Sequence, residues 1–204
     1  DDSNSWNASE VCPESGRGTF IDERDGQVYK YTTIGNQVWM AENLRYKIKE
    51  DTDADPSNDF RSECFFSDDS CSVMGLVYNW NAAKGACPRE WHLPSEKEWN
   101  ILVGRMGGDV EANYRLRATS GWKELNRNEN LNGSDDCGFM LLPSQETYKP
   151  NIGYVADAWS SSEGSSEDNE LILFFRVVSY RTDLKLLYTD GYKSDLKSIR
   201  CLKA

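Results

Sequence analysis

Asp51, Asp53, Asp55 and Asp59 set carboxylates at nearly alternate positions of the segment EDTDADPSNDF. Hard oxygen ligands at such spacing suit a hard cation, and calcium is the candidate ion. The pattern of a helix-flanked calcium loop is not completed. Pro56 stands where its tight turn needs glycine, and Ser62 where a closing carboxylate belongs. A simply solvated acidic loop is the competing reading of the same residues.

Aromatic side chains offer a second kind of chemistry, since flat rings stack on sugar faces by dispersion and C–H···π contact. Trp122, Tyr148, Tyr154 and Trp159 lie among glycine, serine, lysine and proline in loop-like sequence, and are the candidate ligand-binding residues. Trp39, Trp80, Trp91 and Trp99 sit beside apolar neighbours and read as core. Catalytic material is scarce. His92 is the only histidine, which excludes a multi-histidine metal centre, and any serine–histidine–acid triad would have to use it. Wedged between Trp91 and Leu93, it reads instead as a satisfied, partly buried imidazole. Among 34 acidic residues some pair must fall at glycosidase spacing, so that spacing carries no signal. No phosphate-binding glycine loop or nucleotide fingerprint occurs, and no catalytic residue is assigned.

Cys12, Cys64, Cys71, Cys87, Cys137 and Cys201 include no C-x-x-C pair, which disfavours zinc. An even count spread over an acidic, Ser/Asn/Asp-rich chain reads as three disulfides made in an oxidising compartment. Cys64 and Cys71 are close enough to close a small loop and are the first pair expected. Spacing alone leaves the other four open.

Several elements must position these groups. Residues 1–11 are polar and aperiodic and read as a flexible N-terminal tail or linker, with one domain over 12–204. Residues 18–41 read as a β meander around the turn dipeptides Asp25-Gly26 and Gly35-Asn36. Residues 49–72 form a polar insertion loop. A short helix is expected over Tyr78 to Lys84, stopped at Gly85. After Leu93-Pro94, Ser95 and Glu98 make a capping box, and Trp99, Leu102, Val103 and Met106 share one helical face that ends at Gly107-Gly108. Strands return over 138–142, 171–179, 184–189 and 197–202, with Asp190-Gly191 as a turn. The Ser-rich stretch 160–170 reads as a flexible acidic loop. Strands, helices, then strands again indicate an α+β domain.

With 23 basic and 34 acidic residues the chain carries a formal charge of −11. Such a surface repels phosphate backbones and anionic lipid, so nucleic acid and membranes are not expected partners, whereas neutral glycans and calcium are compatible. No apolar run reaches about 18 residues, so no membrane-spanning helix is expected. No signal peptide pattern opens at Asp1, and the numbering is expected to be that of a processed form.

The blocks GTFIDERDGQVYKYTTIGNQVWMAENL, GLVYNWNAAKGACPREWHLPSEKEW, ATSGW, NGSDDCGFMLLPS, DAWSSSE and SIRCL follow one another along the chain. In that order they resemble the Fibrobacter succinogenes major paralogous domain, from about Gly18 to Leu202. The resemblance implies a secreted or cell-surface bacterial protein. The alanine- and cysteine-bearing helix, the Leu93-Pro94-Ser95 helix start and the terminal Arg200-Cys201 strand are similar, more loosely, to the C-type lectin-like fold. That fold also includes formylglycine-generating relatives. This likeness implies a long bridge from the first helix region to the last strand, here Cys87 with Cys201, and with it Cys12 with Cys137. The Glu-Pro-Asn, Gln-Pro-Asp and Trp-Asn-Asp triplets of calcium-dependent lectins are absent. Asn132, Asp135 and Asp136 read as a turn whose side chains bond their own backbone. The formylglycine-generating relatives use reactive cysteines, which here look committed to bridges.

The expectation is therefore an α+β, C-type lectin-like domain with two helices, antiparallel or mixed sheets, long loops and three disulfides. Its expected role is a secreted or cell-surface non-catalytic binding module for plant cell-wall or other polysaccharide. The loops 49–72 and 145–168 would meet the ligand. No cofactor is required for that role, with calcium as the candidate ion. A protein–protein module for adhesion or surface assembly is the alternative, and a sulfatase-modifying-type enzyme comes third.

Overall fold

The computed structural model describes residues 6–48, 60–64, 68–123, 130–144, 153–164, 171–180 and 186–204. Gly26 and Gly35 take positive φ of 77° and 61°, a conformation that is cheap only without a Cβ. Around these turns β1 (Arg17–Ile21), β2 (Val28–Ile34) and β3 (Gln37–Met40) run antiparallel, the meander the sequence predicts. The end of the chain returns beside it. β10 (Leu202–Lys203) pairs with β3 on one side and with β6 (Trp91–His92) on the other, in the order β1-β2-β3-β10-β6. A second antiparallel sheet holds β7 (Val155–Glu163), β8 (Leu171–Val178) and β9 (Leu187–Tyr192), and β4 (Ser62–Glu63) pairs with β5 (Val77–Tyr78). The described chain is thus α+β with antiparallel sheets.

Period-two alternation sends the two faces of the first sheet into different cores. Trp39 and Leu202 face one cluster with Trp99, Phe139 and Phe175, whereas Tyr29, Met40 and Cys201 face another with Tyr78, Trp80 and Trp159. In the first cluster Trp99 stacks on Phe175 at 4.4 Å and lies 4.7 Å from Trp39. Burying each such ring is worth about 2–3 kcal/mol from area alone. β7 and β8 are buried on both faces and feed both clusters.

Among the described residues the helices are α1 (Ala8–Val11), α2 (Asp68–Met74), α3 (Trp80–Ala86), α4 (Glu96–Arg105) and α5 (Asp109–Arg115). α4 starts with the capping box read from Ser95 and Glu98, and it buries Trp99, Leu102 and Val103. α3 runs through Gly85 rather than stopping there. Its end is fixed by Cys87, extended at φ −63° and ψ 143° before Pro88, a residue that disfavours helix in its predecessor. α1, α2 and α5 are additions to the two expected helices, α2 beginning inside the expected insertion loop 49–72, and α5 is held by Arg115 to Glu111 at 2.9 Å and by buried Ala112.

All six cysteines are bridged: Cys64 with Cys71, Cys87 with Cys201, and Cys12 with Cys137. Residues 6–11 depart from the tail reading. Trp6 donates through Nε1 to the Arg105 carbonyl at 2.8 Å, and the Val11 carbonyl accepts from Gly35 at 2.6 Å. Where strand was expected over 138–142, only a bridge from Arg117 to Leu141 forms. Met140 sits at φ 53°, its N–H given to the Asp135 carboxylate, because the carbonyls of Phe139 and Met140 turn to the Arg200 guanidinium. Over 197–202 only Leu202 lies in a strand, with Lys197 and Ser198 in isolated bridges. Asp190-Gly191 lies within β9 rather than in a turn. A Cβ at Gly191 would stand 2.9 Å from Phe174 and 3.1 Å from Trp159, so the glycine serves close packing. Ser160 to Glu163 belong to β7 rather than to an acidic loop.

Candidate functional site

Among the described residues, those singled out in the sequence do not converge. Asp51, Asp53, Asp55, Asp59 and Tyr148 lie outside the described residues. Trp122 and Trp159 are 5% and 0% exposed. Their indole N–H groups donate to the carbonyls of Leu141 at 3.0 Å and Tyr78 at 2.6 Å. Neither ring offers a face to a ligand. Both are core, because each indole fills apolar space while its one polar atom finds a backbone acceptor. Tyr154 is half-buried at an edge-to-face contact with Tyr180, centroids 6.0 Å apart, on the surface beside the β7–β8 sheet. Among the described residues no group of three or more potential ligands is placed to hold a metal. Asn132 accepts from the backbone N–H of Trp122 and Asp135 from that of Met140, ten and five residues away, so these side chains bond distant backbone rather than closing the local turn expected of them.

His92 meets Glu98 rather than a serine nucleophile. Its Nε2 lies 2.8 Å from Glu98 Oε1, while Glu98 Oε2 accepts from the backbone and hydroxyl of Ser95 at 2.7 and 2.8 Å. Burial alone would raise the Glu98 carboxyl, but these donors outweigh it and hold it below the ordinary carboxylate range. The carboxylate stands between serine and histidine, which is the geometry of a helix cap and not of an activated hydroxyl.

A concave site forms elsewhere, on the face of the first sheet that carries Tyr29, Met40 and Cys201. Register puts Phe20, Tyr31, Thr33, Val38, Lys203 and Trp91 on that same face, one or two from each strand. In a flat sheet, four interstrand steps would separate β1 from β6 by about 19 Å. Instead the Phe20 ring of β1 stacks on the Trp91 ring of β6 at 4.4 Å and 22°. The sheet coils until side chains of its two edge strands touch, and beside that contact lies a cleft of about 540 Å³. That volume and its aromatic lining are typical of small-ligand sites.

Two backbone features shape the cleft. Tyr31 lies opposite Gly18 in the register, and a Cβ at Gly18 would fall 2.5 Å from the Tyr31 hydroxyl and 2.6 Å from its ring. The ring therefore lies down over the glycine instead of standing off the sheet, and Tyr31 lines the cleft. At the rim the turn Pro88 to Trp91 closes with a 2.9 Å backbone bond and holds Glu90 at φ 67°. A left-handed conformation at a residue with a Cβ costs about 1 kcal/mol. It is held here by the neighbouring Cys87–Cys201 bridge and by the Ala204 N–H on the Glu90 carbonyl. Arg24 grips Asp22 with two bonds of 2.9 and 2.7 Å and lies over the Tyr46 ring. Burial would raise the Asp22 carboxyl, yet Arg24 keeps it below its ordinary value. That pair is internally neutral.

The chain matches the model of the Fibrobacter succinogenes major domain over residues 32–203. It belongs to that family. No curated protein and no solved structure matches the chain. The matched span of this Fibrobacter succinogenes major domain supplies Tyr31's neighbours Thr33 and Val38, the Pro88–Trp91 turn and Lys203, while Gly18, Phe20 and Tyr31 precede it.

Sequence reasoning assigned Trp91 to the core, and half of that is right, since its ring packs against the second cluster as well as lining the cleft. A signal for the rest was present. Glycine in a strand marks close approach, and GTF set against VYKYTT across one hairpin places Gly18 against an aromatic partner.

Proposed function

We propose that this domain is a non-catalytic binding module whose site is the cleft of the coiled sheet, and that its ligand is a glycan. The single observation behind the reading is Tyr31, laid over Gly18 in a concave wall completed by Phe20 and Trp91. A flat ring exposed along one face is the group that stacks on a sugar. The scaffold we propose is C-type lectin-like, supported by the Cys87–Cys201 bridge from the helical region to the last strand. A secreted or cell-surface location fits three disulfides, since such bonds persist in oxidising surroundings. With all six cysteines bridged, no thiolate is at hand for chemistry of the sulfatase-modifying type.

Depletion from solution by insoluble cellulose, xylan and mannan tests the reading. Binding to at least one polymer is expected, unchanged by chelator and reduced about tenfold in Tyr31→Ala. Tyr180→Ala serves as the control outside the cleft. Retention by no polymer would overturn the glycan reading. A protein partner is the second reading, favoured by Ile21 and Val28, a cross-strand pair left 63% and 53% exposed beside the cleft.

A further inference from the structure

We infer that the cleft selects a mostly neutral glycan bearing isolated uronic acid groups, and that Lys203 receives the carboxylate. The inference rests on the proposed glycan reading of the cleft and adds the charge of the ligand. Of the cleft residues rooted on the inner face of the strands, Phe20, Tyr31, Thr33, Val38 and Trp91 carry no charge, and Lys203 carries one.

Lys203 pairs with Trp91 across β10 and β6, so its ammonium stem rises beside the indole. No carboxylate among the described residues forms an ion pair with it. The other charges of the cleft are rooted in turns. Asp22 and Arg24 neutralise one another, while Glu23, Arg89 and Glu90 stand at the rim and are free to point to water. A ligand stacked within the wall therefore meets one unneutralised cation rooted in the sheet and no unneutralised anion rooted there.

The whole chain sets the other bound. A formal charge of −11 opposes a dense polyanion, just as it opposes a nucleic acid. A single carboxylate within a Debye length of Lys203, about 8 Å at physiological salt, responds to the local cation instead. Local attraction and global repulsion are both satisfied by acid groups spaced widely along a neutral chain. They are not both satisfied by a homopolymer of uronic acid.

Calorimetric titration of the full chain with three oligosaccharides of equal length decides the matter. The probes are a neutral xylo-oligosaccharide, the same chain carrying one glucuronic acid, and an oligogalacturonate. The singly acidic probe is expected to bind about tenfold more tightly than the neutral one, the scale of one charge-assisted contact. Lys203→Gln is expected to erase that difference, bringing the neutral and singly acidic probes to a common affinity. Equal affinity for neutral and singly acidic probes, unaffected by Lys203→Gln, would overturn this inference while leaving the glycan cleft in place. Tightest binding to the oligogalacturonate would overturn the requirement for isolated acids. Binding of no probe, in wild type or variant, would overturn this inference, and the glycan reading falls with it only if cellulose, xylan and mannan also fail to retain the domain. Lys203 is exposed, so its substitution leaves the fold able to report.

Discussion

Gly18 and Arg200 show how much a single residue decides here. Gly18→Ala puts a methyl group where the Tyr31 ring now lies, 2.5 to 2.8 Å from its atoms, and must lift that ring from the wall. Because Gly18 is on an edge strand, the change in unfolding free energy is expected to stay within about 1 kcal/mol. Glycan affinity is expected to fall about as far as in Tyr31→Ala. An affinity equal to wild type, measured by the same depletion assay, would remove Tyr31 from the site. Arg200 acts in the opposite sense. It is fully buried, and burial pushes its guanidinium down to about 9, which leaves it charged at neutral pH. Its donors meet Asn43 and the carbonyls of Met40, Phe139 and Met140. Arg200→Leu strands those acceptors and is expected to cost about 3–5 kcal/mol in urea unfolding. A loss below about 1 kcal/mol would mean that water reaches the acceptors. Composition could not rank these residues. Trp122 and Trp159 have loop-like neighbours in sequence, yet long-range contacts with Leu141 and Tyr78 bury them, and burial is what decides whether a ring binds or packs.

At the scale of elements, the parts legible beforehand are those fixed by neighbours in sequence. The capping box at Ser95, the meander turns at Gly26 and Gly35 and the seven-residue separation of Cys64 and Cys71 are all local. β7 and the broken strand over 138–142 were not legible, because pairing with β8 and the carbonyl demands of Arg200 settle them from far along the chain. The cleft was invisible for the same reason: it exists only once β6 and β10 join the meander and the sheet coils. The α4 cap allows a pH prediction. The folded Glu98 carboxyl titrates below its ordinary value of 4.5. Its ionised contacts therefore add stability above that value and lose it as the pH falls through the lower folded value. Glu98→Gln is expected to cost about 1 kcal/mol at pH 6, and the gap to wild type is expected to be smaller at pH 3. The measurement is denaturant unfolding of both proteins at the two pH values. A gap independent of pH would assign the effect to packing rather than to the carboxylate.

For the molecule as a whole, the bridges differ in what they hold. Cys12–Cys137 and Cys87–Cys201 span 125 and 114 residues, whereas Cys64–Cys71 spans 7. If restriction of the unfolded chain dominates, each long bridge stabilises by about 4–5 kcal/mol and the short one by about 2–3 kcal/mol. The long bridges also differ from each other in place. Cys12–Cys137 fastens the N-terminal segment to the first core, on the side of the first sheet opposite the cleft. Cys87–Cys201 fastens α3's end to the residue before β10, and so holds the turn carrying Arg89 and Glu90 beside Lys203. Paired serine substitutions are therefore expected to separate stability from binding. Both Cys12→Ser with Cys137→Ser and Cys87→Ser with Cys201→Ser should lower the unfolding midpoint by similar amounts. Under conditions where each variant remains folded, only the second pair should weaken the ligand, because only there does the strained Pro88–Trp91 turn lose its anchor and Trp91 its fixed stack on Phe20. Equal binding by the two variants would show that the sheet itself, through the Lys203–Trp91 and Leu202–His92 pairing, is enough to keep the cleft in shape.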